Sequence, residues 1–300
     1  MDDKHSFPIP VVASLGPGSQ AEEAMLDYMA MPQSMTAYAM PSLADPARIA
    51  RHAGALRALR AVRDQLRSVA EKLTDLDGTR RIDLSDLTAD ELQQVNQVLG
   101  EGEVSAQVLN ENGVATVSIQ ESVFAGVWRV IQLLDDGQLL DSIEVGSVPH
   151  ILREVARLDA AQEHPDPLPD SIASTNIPSI LVEIEAQRGA WRAGQSAYVI
   201  NLTLLPLAPT DIGYLDYCLG TGRVQILSRG YGNCRITNCC VPHTWRVVYY
   251  NSEDTVILNS VEVTEMPEVA CAAPEDLRDS VLRLDDVLQW IGQSEQSPDL

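Results

Sequence analysis

A stretch of this chain is written twice. Leu84 to Pro149 reappears between Leu204 and Pro267. Leu99-Gly100-Glu101-Gly102-Glu103-Val104 returns as Leu219-Gly220-Thr221-Gly222-Arg223-Val224, and Val127-Trp128-Arg129-Val130 returns as Thr244-Trp245-Arg246-Val247. Leu140-Asp141-Ser142-Ile143-Glu144-Val145 returns as Leu258-Asn259-Ser260-Val261-Glu262-Val263. The spacing slips only where turns are expected. Self-similarity of this kind means one structural unit used twice, which leaves few folds open. The copies differ in one respect above all: only the second carries Ser228-Arg229-Gly230-Tyr231-Gly232-Asn233-Cys234-Arg235.

Each copy opens with a helix. Thr88-Ala89-Asp90-Glu91 is a capping box, in which the threonine oxygen takes one free backbone N–H while the glutamate reaches back to another. The second copy starts with Pro209 at the first helical position and Asp211 where Glu91 stands. Gly100 and Gly220 supply the backbone freedom that closes each helix. Strands follow at Val104–Leu109, Ala115–Gln120, Trp128–Leu134 and Leu139–Val145, joined by turns at Asn112-Gly113 and Asp136-Gly137. Their counterparts are Val224–Leu227, Cys234–Asn238, Trp245–Tyr250 and Thr255–Val263. The fold class is therefore α+β, with two repeated helix-plus-antiparallel-sheet units. About 65 residues make a marginal domain alone, so the two units should pair and bury their open sheet faces.

The flanks complete the organisation. Residues 1–46 hold six prolines yet also Met25, Leu26, Tyr28, Met29 and Met31, which reads as an extended N-terminal arm lying across another surface. A helix over 47–74 carries the stripe Leu59, Val62, Leu66, Val69 and Leu73. Its other side bears Arg57, Arg60, Arg63 and Arg67, either paired with neighbouring carboxylates or open to an acidic partner. The expected domains are thus 47–162, a linker at 163–175 rich in proline and charge, and 176–300. The last includes a helix from Ser179 and a C-terminal helix beginning at Pro274-Glu275-Asp276.

Composition narrows the function. With 21 basic against 43 acidic residues the net charge is −22, which repels nucleic acid and anionic membrane and suits a partner with a basic segment. No apolar run approaches the roughly 20 residues that span a bilayer. The acidic start Met1-Asp2-Asp3 is no secretory signal, and five clustered cysteines are not a secreted disulfide framework. A reducing cytoplasm is the expected setting.

Candidate functional residues cluster in the second copy. In Arg229, Gly230, Tyr231, Gly232, Asn233, Cys234 and Arg235, glycines around a tyrosine let another backbone approach, and the arginines offer forks to carboxylates or carbonyls. The segment lacks the Lys-Ser/Thr ending of a phosphate loop and joins strand to strand. Cys234, Cys239, Cys240 and His243 invite three readings: core packing, a metal, or a redox thiol pair. Their C-x4-C-C-x2-H spacing is not that of a common zinc site. No nucleophilic triad is visible. Trp128 and Trp245 read as core anchors, with Arg129 and Arg246 on the opposite face, free to meet a partner carboxylate. Gln120 and Glu121 place polar groups beside the Trp128 strand.

Several of these segments resemble one family. Gly16-Pro17-Gly18-Ser19-Gln20, Gln120–Val130, Val199-Ile200-Asn201-Leu202-Thr203-Leu204-Leu205-Pro206, and Ser228–Arg235 through Tyr250-Asn251-Ser252 are similar to the HupH/HyaF hydrogenase expression proteins. The resemblance spans nearly the whole chain. It implies an accessory protein without catalysis or cofactor, which binds the iron–sulfur small subunit of an uptake nickel–iron hydrogenase before twin-arginine export. A thioredoxin-like maturation protein is the implied co-worker. Against that stand a thiol-dependent role in cluster assembly through Cys234, Cys239 and Cys240, and a self-associating scaffold built on sheet edges.

Overall fold

The helix expected over 47–74 is broken in two. Asp45 caps a short helix α1 (Pro46–Ala50), its carboxylate accepting the Ala47 N–H at 3.1 Å. Arg51 and His52 then bond to carbonyls three residues back, tightening the turn before α2 (Ala53–Glu71) resumes. The computed structural model describes residues 45–71, 80–134, 136–162, 176–230 and 232–295. After α2 come β1 (Arg80–Asp83), α3 (Ala89–Leu99), β2 (Val104–Leu109), β3 (Ala115–Glu121), β4 (Val127–Leu133), β5 (Leu139–Val145) and α4 (His150–Ala160). They are followed by α5 (Ile177–Ala190), β6 (Tyr198–Asn201), α6 (Pro209–Leu219), β7 (Thr221–Ser228), β8 (Asn233–Cys239), β9 (Thr244–Tyr250), β10 (Val256–Val263) and α7 (Pro274–Glu295).

Local chemistry explains most of these boundaries. Thr88 and Glu91 close the capping box of α3 in both directions, and the Glu91 carboxylate also accepts the Gly54 N–H at 2.7 Å, tying α3 to α2. Asp211 accepts the Ala208 N–H at 2.8 Å at the start of α6. Gly100 and Gly220 end α3 and α6 at φ of 56° and 66°. The two expected hairpin turns form, with Asn110 and Asp136 each accepting backbone N–H groups across them.

The described strands form one antiparallel sheet in the order β1-β5-β4-β3-β2-β7-β8-β9-β10-β6. Read outward from the middle, both directions run through four strands of a meander to a short edge strand. The seam between the two meanders is the β2–β7 pairing, from Val104 opposite Ser228 to Val108 opposite Val224. This corrects the expectation that open sheet faces would pack together: the meanders join edge to edge, and helices cover the faces.

On one face, α1, α2, α3 and α7 pack over β4 and β5 around Val127, Ile143 and Val145, while α5 and α6 pack over β10 and β6 around Ile200, Val261 and Val263. On the other, α4 crosses the seam, and Leu152 and Val155 meet Ala106, Ile119, Ile226 and Ile236. Trp128 and Trp245 sit on this second face, each 1% exposed; truncating either to alanine should cost about 3–5 kcal/mol.

Asp159, near the end of α4, locks the crossing. It is 2% exposed, and its carboxylate accepts the Arg223 N–H and Nε at 2.7 Å each and Asn238 Nδ2 at 3.0 Å. Asn238 Oδ1 in turn accepts the Val224 N–H. At the β8–β9 turn, His243 holds φ of 57°, a conformation that costs an L-residue about 1–2 kcal/mol. The equivalent β3–β4 turn uses Gly126 at φ 80°.

Candidate functional site

Where β2 and β7 part, their ends open a cleft of about 360 Å³. Glu101, Gly102 and Glu103 form one wall, Ser228 and Gly230 another, and Glu121 with Ser122 the floor at the end of β3. The segment Val269–Asp276, running into α7, closes the far side and brings Cys271 and Asp276. Backbone hydrogen bonds fix the walls: Gly102 N–H donates to Glu121 O at 2.7 Å, and Arg229 N–H donates to Glu103 O at 3.1 Å. A Cβ at Gly230 would meet the end of the Glu103 side chain, which would have to swing aside.

Four carboxylates and no arginine or lysine line this cleft. The most enclosed is Glu121, 7% exposed, whose carboxylate accepts the Gly126 N–H at 3.2 Å. Burial, reinforced by the negative charges of Glu103 and Asp276, pushes its pKa up to about 7, although backbone N–H groups of Gly126 and Val104 oppose the shift. Near neutral pH this carboxyl is poised between states. A cation entering the cleft would favour the ionised form. The Cys271 thiol is held protonated, burial pushing it up to about 12.

The expected site residues divide into two groups. Glu121 and Gly230 meet in the cleft, and the Arg229 backbone N–H is tied to its wall at Glu103. Arg129, Arg235 and Arg246 share one sheet face between the two helical covers, away from it, and Gln120 points to the same face but reaches the strand ends that frame the cleft. Arg129 is bound by Asp141 and Asn96. Arg246 pairs with Asp216 of α6 at 2.8 Å and donates to Ser260 O. Arg235 lies 5.2 Å over the Tyr250 ring. The Gln120 amide donates to Gly102, Val104 and Glu121 carbonyls, fastening strand ends. Asn233 begins β8 opposite Tyr250, Gly232 bridges to Gly230 at φ 101°, and Tyr231 lies outside the described residues.

Cys234 and Cys239 are buried on opposite sheet faces, and burial pushes both thiols up to about 12; Cys240 is shifted in the same direction. Among the described residues no three His, Cys, Asp or Glu side chains are grouped to hold a metal ion. Nor is any described helix long and apolar enough to cross a membrane. The basic strip on α2 is partly spent within the fold, Arg63 and Arg67 both reaching Asp285 of α7.

Glu101, Glu103, Asp276 and Cys271 were not singled out from the sequence. One signal was available. Glu103 in the first copy stands where the second has Arg223, and Arg223 is held by Asp159. The copies thus carry opposite charge at matching positions, one site closed by its own arginine and the other lined by carboxylates.

With this geometry in place, the comparisons with known proteins are direct. The conserved C-terminal region of the HupH hydrogenase expression protein matches residues 55–164 and again 174–291, and the chain belongs to that family. It is 52% identical to the hydrogenase expression/formation protein HoxQ of Cupriavidus necator, over 96% of this chain and 99% of that one. It is 41% identical to the hydrogenase expression/formation protein HupH of Rhodobacter capsulatus, over 95% and 98% of the two chains. Identity to the hydrogenase-1 operon protein HyaF of Escherichia coli is 30%, over 93% and 96%. Among solved structures, the hydrogenase expression protein HupH from Thiobacillus denitrificans aligns at 27% identity and a TM-score of 0.35, covering 38% of this chain and 98% of that one.

Proposed function

We propose that this chain is a non-catalytic maturation factor, one that holds the iron–sulfur small subunit of an uptake nickel–iron hydrogenase in the cytoplasm before twin-arginine export. The observation that carries the reading is the acidic cleft at the β2–β7 seam. Its carboxylates, Glu121 nearly enclosed among them, suit an arginine side chain of a basic leader, and the −22 net charge would speed the encounter. Ser228 to Gly230, at the edge of the cleft, would form the rim against which the bound polypeptide lies. Two family matches on one chain, and a strand order that reads alike outward from the seam, support one unit used twice and since diverged. The thioredoxin-like co-worker would act on the same precursor.

A thiol mechanism asks for an accessible thiolate of lowered pKa, and the shifts at Cys234 and Cys239 run the other way. The test is anaerobic copurification of the tagged protein with the precursor small subunit. Replacing both Glu103 and Glu121 by glutamine, or both leader arginines by glutamine, should lower recovery about tenfold, as expected for losing a charged hydrogen bond. Undiminished recovery from either change, or no association of the wild-type pair, would refute it.

A further inference from the structure

We infer that residues 18–31 of the chain's own N-terminal arm lie in a polar trough on the sheet, with a carboxylate of Glu22 or Glu23 on Arg235. The trough lies between the two helical covers, on the face they share. One row of side chains, Ser118, Gln107, Gln225 and Thr237, crosses β3, β2, β7 and β8 there. In the neighbouring row Ser105 and Arg235 flank Leu227. The residues that alternate with them, such as Ala106 and Ile226, point the other way into the core under α4. A sheet face beneath a helix is apolar, whereas this floor is polar, and Leu227 joins neither helical cluster.

The walls correspond across the repeat. Asn96 of α3 holds Arg129 of β4, and Asp216, at the matching position of α6, holds Arg246 of β9. Five strand spacings separate β4 from β9, about 24 Å. Helices about 10–12 Å wide above them leave about 12–14 Å, room for one further segment of chain.

The floor supplies the independent observation. Ser105 and Gln107 are 5% and 6% exposed, yet no described residue hydrogen-bonds to either side chain. Native proteins nearly always give such buried polar groups a partner. The half-buried side chains of Ser118, Gln225 and Thr237 stand beside them in the same condition. Arg235 reaches the Tyr250 hydroxyl at 3.4 Å and lies over its ring, and no described carboxylate pairs with it.

The arm carries what this floor would bind. Glutamine amides both donate and accept, as peptide groups do. Residues 1–44 precede the described chain, and extended they reach up to about 145 Å, enough for any point on the sheet. Their charge is Asp2, Asp3, Glu22, Glu23 and Asp27 against Lys4, complementary to a floor that holds a guanidinium and no carboxylate. Between Pro17 and Pro32 the arm has no proline, so every residue from Gly18 to Met31 has an N–H to donate. Side chains alternate along an extended chain, and either register turns Glu22 or Glu23 toward Arg235. The inference stands apart from the acidic cleft and its leader.

Benzoylphenylalanine in place of Gln225, in the full-length protein, tests it by irradiation and mass spectrometry on mixed isotopically light and heavy chains. Adducts should fall within residues 18–31 of the same chain, and the probe in place of Leu139, 68% exposed on β5, should give none there. Amide exchange over residues 18–31 should be about tenfold faster in Arg235→Gln, as expected for losing a charged hydrogen bond. The joint change Glu22→Gln and Glu23→Gln, which leaves the sheet untouched, should speed it equally. Adducts between light and heavy chains would assign the trough to a second copy and overturn the inference. Adducts only outside 18–31, no adducts, or wild-type exchange in the joint variant would overturn it too.

Discussion

Replacing Glu121 by glutamine should flatten the pH dependence of this protein's stability. In the folded chain burial, with Glu103 and Asp276 nearby, pushes the Glu121 carboxyl from its ordinary 4.5 up to about 7. The folded state therefore holds the proton more tightly than the unfolded state. That contribution is fully present below pH 4.5 and is lost as pH rises through about 7. A rise from 4.5 to about 7, at 1.36 kcal/mol per unit, makes the loss about 3 kcal/mol. Little discount for solvent applies to a side chain 7% exposed. Glutamine does not titrate, and any fixed cost of the substitution cancels when two pH values are compared. Urea unfolding near pH 5 and near pH 8, followed by tryptophan fluorescence, gives the four free energies required. Because pH 5 lies above the unfolded value and so within the transition, the wild type should lose about 2.5 kcal/mol more between the two conditions than Glu121→Gln does. Parallel pH profiles would refute the placement of Glu121 in a desolvated acidic cleft.

Other substitutions probe the frame around the site. Asp159→Ala leaves the buried Asn238 amide without its acceptor and releases the part-exposed Arg223 guanidinium to solvent, and should cost about 1–3 kcal/mol by denaturant unfolding, with Asp159→Asn recovering part. Gly126→Ala puts a Cβ into Leu277 at a positive φ, and about 2 kcal/mol should be lost from thermal stability. Thr88→Ala removes one side of the capping box of α3 and should cost about 1 kcal/mol, seen as faster amide exchange in its first turn.

Much of the local structure was legible because its causes are local. The capping box at Thr88, the Asn112-Gly113 and Asp136-Gly137 turns, and the alternation that buries Trp128 and Trp245 follow from a few neighbouring residues. The edge strands β1 and β6 went unread, because four residues carry too little periodicity to stand out. Helix α4 was missed for another reason. The segment at its counterpart position in the second copy holds only the short turn Glu268–Ala270, so comparing the copies hid the helix instead of revealing it. Alternation tells which face of a strand is buried but never which strand lies beside it, and the β2–β7 seam was invisible on that account.

The candidate site was legible in part. Glu121 drew notice as a polar group beside the Trp128 strand. Glu101, Glu103 and Asp276 were three acidic residues among 43, and only the seam gathers them into one cleft. Arg129 and Arg246 have the right character for a partner carboxylate, but folding supplies each with an internal one, Asp141 and Asp216. The opposite charges of Glu103 and Arg223 at matching positions were the clue open to a reader of the sequence.

The Val104–Val108 pairing with Val224–Ser228 also has a mechanical meaning. Its hydrogen bonds lie across the strand direction, so a pull on the rim along β7 loads them in shear, all at once. A hinge would yield one bond at a time; this seam resists as a unit. A polypeptide held at the Arg229–Gly230 rim, as proposed, would pull against the midline of one continuous fabric, which keeps its shape under load.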